Sequence, residues 1–228
     1  MSNWDATLAG LSYPVTLPAD GDTLDRSELR RLADLSLRAP TDENVLNLFW
    51  NVLVWGSGSD RRRIPRIAAG IETRRREVVD RLVRAQQCSF SGDVRNAFRT
   101  LVRVVPYWGP AFFTKFLAFT TDPANKSKLQ AVILDDRVRT AWRALTGDRL
   151  PVEPRSVDYE SFCVKVSDVA AAASRHPEQV EMALFVFGRK IGSYTRWLEH
   201  ELAVTRKLAG RAAPLEDVVA AIEQSNAQ

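Results

Sequence analysis

Lys115 stands in a largely apolar run, flanked by Phe112, Phe113, Phe116 and Leu117. A lysine amine can attack an electrophilic carbon and form a Schiff base. It must be neutral to do so, and apolar neighbours disfavour the charged form. The plainer alternative is a lysine that snorkels from the edge of a helix. Asp135 closes a second apolar run, Ala-Val-Ile-Leu, and opens an amphipathic pattern with Val138, Ala141, Trp142 and Leu145 on one face. A carboxylate there could stabilise positive charge developing on a substrate, or it could simply cap the helix.

The elements that must position these two side chains come next. Residues 94, 97, 98, 101, 102 and 105 are apolar at helical spacing, so a helix is expected from Val94 to Val105. A Pro/Gly turn, Pro106 to Pro110, follows, and a second helix is expected from Pro110 to Phe119, since proline is accepted at a first helical position. Two helices joined by so short a turn form a hairpin. The backbone N–H groups of the turn and the start of the second helix would suit a phosphate. Tyr107, Trp108 and Gly109 are the turn residues placed to meet it. The two aromatics could wedge into a base stack or pack beneath the turn.

The order hairpin, lysine, then aspartate at a helix start resembles the helix-hairpin-helix DNA glycosylase superfamily. Where better-known branches read Leu-Pro-Gly-Val-Gly, this chain has Val105-Pro106-Tyr107-Trp108-Gly109. Where they read Val-Asp-Thr-His-Val, it has Leu134-Asp135-Asp136-Arg137-Val138. The strings Phe112 to Leu117 and Val180 to Phe185 are similar to prokaryotic 8-oxoguanine-glycosylase-like proteins, some of which excise modified bases in phage defence. The resemblance spans Trp50 to Arg189 and makes Asp135 the counterpart of the catalytic aspartate. It also shows a departure. The usual lysine position, two residues after the second hairpin glycine, is Ala111 here, and Lys115 stands four residues further on. That is about one helical turn, on roughly the same face and about 6 Å along the axis.

What the resemblance implies is a DNA glycosylase that extrudes a modified base and breaks the bond between base and deoxyribose. Asp135 would stabilise the charge that builds on the sugar. Lys115 would attack the sugar carbon, with strand-cleaving lyase activity following from the Schiff base. The base would be 8-oxoguanine or a phage hypermodified base such as a glucosylated hydroxymethylcytosine. A hairpin that only grips DNA, without chemistry, is the alternative, and it would need neither Lys115 nor Asp135. The implied partner is DNA containing a modified base, with no small-molecule cofactor and a monomeric protein.

Charge agrees with a nucleic-acid partner without requiring one. The 228 residues carry a formal charge of +4. Between Asp60 and Arg84, however, nine arginines face four acids, and every cation in the segment is arginine, the side chain suited to forked phosphate contacts. Arg61, Arg62, Arg63 and Arg66 are the DNA-binding candidates, with a solvated helix face as the plain alternative. Gly56 and Gly58 beside them could admit a phosphate or end a helix.

The remaining chain reads as helices. They are expected at 25–38, from Thr41 through the strongly apolar Val45 to Leu53, from Asp60 and from Thr73, and at 157–174, 178–190, 194–209 and 215–224. Residues 1–22, with Pro14, Pro18 and Gly21, form an irregular arm in which Trp4, Leu11, Tyr13 and Val15 could be tucked against the body. Nothing alternates as strands do. The fold class is therefore all-α, with two helical lobes facing each other across a cleft. The whole chain, 1–228, is expected to be one glycosylase-like unit whose residues 90–147 carry the hairpin and catalytic segment.

A pocket for the extruded base would lie between the lobes. Trp55, Glu181, Phe185 and Trp197 are candidate walls, against a plain core role for the aromatics and a surface role for the carboxylate. Phe187 is in the same position. Cys88 and Cys163 form no CxxC pair, so neither a disulfide framework nor a zinc or iron–sulfur site is suggested. His176 and His200 lack metal-ligand spacing. With no apolar run long enough to span a bilayer, and a polar stretch after Met1, a cytoplasmic location is expected.

Overall fold

The most apolar stretch of the chain becomes the helix around which the others pack. A computed structural model describes residues 8, 11, 15, 24–57, 62–125 and 127–209, with side chains as far as 193. Among the described residues there are nine helices and no strand. α1 (Arg26–Arg38) is capped by Asp25, whose carboxylate accepts from the Glu28 amide, and it buries Leu29, Leu32 and Ala33. α2 (Asp42–Ser57) buries an unbroken run from Leu48 to Leu53, as a helix apolar on all sides must. Thr41 Oγ1 accepts from Asn44 N at its start. α3 (Ile64–Thr73) and α4 (Arg75–Ser91) follow, then α5 (Val94–Leu101) and α6 (Pro110–Thr120). α7 (Asp136–Thr146), α8 (Ser156–Ala172) and α9 (Pro177–Ala209) complete the set.

Several boundaries depart from expectation for local reasons. α5 stops at Leu101, four residues early, because Arg103 turns to a positive φ of 59° and Val105 precedes a proline that disfavours helix. α3 begins at Ile64 with Pro65 in its first turn. Thr73 ends that helix, and the next starts at Arg75. The helices expected at 178–190 and 194–209 are one continuous α9, since Gly192 costs a helix only about 1 kcal/mol and no proline interrupts it. Leu145 is exposed rather than packed beside Val138, Ala141 and Trp142, because it lies in the last turn of α7 before Gly147 turns left-handed.

One contiguous apolar cluster runs from Leu8 to Leu184, with Leu11 and Val15 packed against it. Trp4, Tyr13 and the helix expected at 215–224 lie outside the described residues. α9 packs along α7 and α8, and α2 and α5 flank α6. At Gly188 of α9 an added Cβ would lie 1.9 Å from the Arg137 carbonyl oxygen, so only glycine permits this approach to the start of α7. No helix among the described residues is long and apolar enough to cross a membrane.

Candidate active site

Side chains on an α-helix lean toward its N-terminus. Lys115 on α6 does so, and its Nζ donates to the Ala111 carbonyl at 2.6 Å and to Asp135 Oδ2 at 3.2 Å. Both side chains are largely buried, 9% and 13% exposed, so Lys115 is not snorkelling to solvent. Its stem lies against Gly56, where an added Cβ would meet Lys115 Cδ at 2.9 Å. Gly56 is thus a space for the lysine. α2 continues through Ser57, and Gly58 lies outside the described residues.

Asp135 divides its two oxygens. Oδ1 accepts from the amides of Arg137 and Val138, both at 3.1 Å, and caps α7; Oδ2 is left for the lysine. The buried extended segment 131–134 is held on both sides. Thr114 Oγ1 accepts from Leu134 N at 3.1 Å while donating to Pro110 O, and Tyr159 donates its hydroxyl to Val132 O at 2.9 Å. Thr114 and Leu134 are the immediate chain neighbours of Lys115 and Asp135, so one hydrogen bond registers the pair.

A family model described as "Putative 8-oxoguanine DNA glycosylase OGG-like protein" matches residues 1–185. The chain belongs to this OGG-like DNA glycosylase family. No curated protein and no solved structure matches it. For an OGG-like glycosylase the one-turn displacement of Lys115 is informative. Ala111 holds the position that the resemblance gives the lysine, and the Lys115 amine returns to the Ala111 carbonyl.

Beside this pair lies a cluster that the sequence did not point to as a unit. Arg26 places its guanidinium 5.4 Å from the Trp55 ring centroid and 5.9 Å from that of Phe119. It donates to both oxygens of Glu181, at 2.9 and 3.2 Å, and to Glu178 at 3.0 Å; Arg30 donates to Glu178 at 2.6 Å. Glu181 is 1% exposed, where a surface carboxylate was the simpler expectation. Burial pushes its carboxyl up to about 7; Arg26 opposes this, while the charges of Asp135 and Glu178 reinforce it. Trp55, partly buried, meets Phe119 edge-on at 5.4 Å. Phe185, one turn beyond Glu181, is partly buried with Arg137 4.9 Å from its ring centroid. Phe187 is exposed, and the Trp197 side chain lies outside the described ones. Arg26 had one available signal: a cation in the first turn of a helix opposes the helix dipole and needs a partner.

The hairpin and the basic segment form one surface. Gly70 of α3 abuts Pro106, where a Cβ would meet the ring at 2.7 Å, and Arg74 donates to the Val104 carbonyl at 2.8 Å. Arg66, one turn before Gly70, lies 5.3 Å from the Tyr107 ring centroid. Tyr107 is exposed and left-handed, φ 63°, at the position aligned with the first hairpin glycine. Around Gly109 there is nothing within 4 Å of a built Cβ, so a ligand could approach its backbone closely. Trp108 is not a wedge. It is 2% exposed and packs on Phe49, Phe113 and Phe116 beneath the turn. Arg62 and Arg63 are exposed, and Arg61 lies outside the described residues.

Other chemistry finds no support among the described residues. No group of three or more His, Cys, Asp or Glu could hold a metal ion. Burial pushes the Cys163 thiol up to about 12 and raises Cys88 as well, which disfavours the thiolate of each.

Proposed function

We propose that the protein is a DNA glycosylase that excises a modified base through Lys115, with Asp135 as the charge-stabilising carboxylate. The observation that carries this is the registered Lys115–Asp135 pair, 3.2 Å apart and buried, with the aspartate's second oxygen tied to a helix cap. A DNA grip needs no such pair, and a buried ion pair is a doubtful source of stability.

Lys115 Nζ forms a bond to the sugar C1′ as the bond from C1′ to the base breaks. The base leaves with the bonding electrons and takes up a proton. Asp135 stabilises the positive charge that builds on the sugar and lies within reach of the proton that the amine releases. Ring opening then yields the Schiff base from which strand cleavage proceeds. The extruded base sits between two helical lobes, in the region of Trp55, Phe119, Arg26 and Glu181, with Phe185 and Arg137 beside Asp135. Gly109, Tyr107, Arg63 before α3 and Arg66 within it hold the phosphates.

The family match favours 8-oxoguanine as the base, and a hypermodified phage base is the alternative. Incubation with a duplex carrying one 8-oxoguanine, and separately with phage DNA containing glucosylated hydroxymethylcytosine, decides by which DNA gains abasic sites. Release from neither refutes the glycosylase. Borohydride should trap the wild type on the DNA it cleaves and fail with Lys115→Gln; persistent trapping would move the nucleophile elsewhere.

A further inference from the structure

A cavity of about 810 Å³ opens on the other side of the hairpin, between the turn, the end of α5 and the start of α8. Phe113 lines it. Phe113 and Lys115 are two residues apart on α6, so about 200° of helix separates their directions, and the cavity lies on the face away from the lysine. Its inner wall is apolar and ring-rich, with Pro106, Tyr107, Pro110 and Phe113. Trp108 completes that wall, and its Nε1 is buried without a hydrogen-bond partner.

The rim is cationic. Arg63, Arg99 and Arg103 line the cavity and none has an ion pair among the described residues. Arg155 is held by Asp158, and Glu153 is the one acid of the lining. α6 and α8 have their N-caps here, at Gly109 and Arg155, so the positive ends of both helix dipoles lie at the rim. An apolar, ring-lined interior inside an arginine rim suits the two parts of a nucleotide, a flat base and a phosphate.

We propose that this cavity takes one unstacked nucleotide of the bound strand, distinct from the base that is released. The base lies against the ring-lined wall, and the phosphate meets Arg63, Arg99 and Arg103. The strand then crosses the N-terminus of α6, with the target nucleotide on the Lys115 side and a flanking one in the cavity. This rests on the reading of the hairpin as the DNA-binding face, but not on base excision.

The test uses fluorescence anisotropy with a labelled four-nucleotide thymidine oligomer, which contains nothing to excise. Val102, 45% exposed on the cavity wall, is replaced by Trp to fill the space. The Val102→Trp protein should bind about tenfold more weakly. The same oligomer with its bases replaced by tetrahydrofuran should bind the wild type about tenfold more weakly. Arg99→Gln should weaken binding about fivefold. If the base-free oligomer binds as tightly as thymidine, or Arg99→Gln binds as the wild type does, the cavity is not a base site. Should Val102→Trp not fold, the base-free oligomer and Arg99→Gln still decide. Oligomer binding that behaves as described in a protein that releases no base would refute the glycosylase and leave the cavity intact.

Discussion

Asp135 caps α7, and the proposed function gives it the charge on the sugar as well; a single substitution separates the two. Asparagine caps helices as well as aspartate does, so Asp135→Asn should keep the bonds to Arg137 N and Val138 N, while loss of the counter-charge to buried Lys115 lowers the melting temperature and base release falls about 10²–10³-fold. Asp135→Ala should lose the same activity and also about 1 kcal/mol of stability. Equal melting temperatures in the two variants would mean that the cap contributes nothing. Glu181 titrates in the opposite sense to a surface carboxylate. Its ordinary value is 4.5 and its folded value about 7, so between these the folded state keeps a proton that the unfolded state has released. Stability from this group therefore falls as pH rises from about 4.5 to about 7, with nothing further lost above. Thermal melts of wild type and Glu181→Gln should diverge in the variant's favour across that window, and a difference independent of pH would contradict the raised value.

Helix contacts determine where these residues stand. α9 reaches α7 through Gly188, and a methyl group there would collide with backbone, which cannot rotate away. Gly188→Ala should therefore destabilise by about 1–3 kcal/mol, read from denaturant unfolding. It should also lower base release by displacing the first turn of α7, to which Asp135 belongs. Unchanged activity at reduced stability would show that the cap moves independently of α9. The hairpin is joined to α3 in a comparable way, by Gly70 against Pro106 and Arg74 on the Val104 carbonyl.

For the molecule as a whole, the basic segment and the hairpin form a single face, which the proposed function assigns to DNA. Arginines that meet phosphate release counterions, so duplex affinity should fall steeply with salt. Arg63→Gln and Arg66→Gln should each reduce the slope of log affinity against log salt by about one, equally for damaged and undamaged duplex. A slope that does not change would return these residues to a solvated helix face.

The features legible in the sequence are those a few neighbouring residues determine. The N-cap at Asp135, the turn at Pro106–Pro110, the apolar α2 and the all-α class follow from capping, proline geometry and periodicity, which act within one or two turns. The lysine and aspartate were both identifiable, but their meeting was not. It depends on a stem that leans back one turn, on the missing Cβ of Gly56 and on the bond that aligns Thr114 with Leu134. Arg26 and Glu181 are 155 positions apart, and Gly188 and Arg137 come from different helices. A period of 3.6 says which face of a helix is apolar and nothing about which other face it will meet. Those pairings, and the cavity between the hairpin and α8, exist only once the helices have chosen their neighbours.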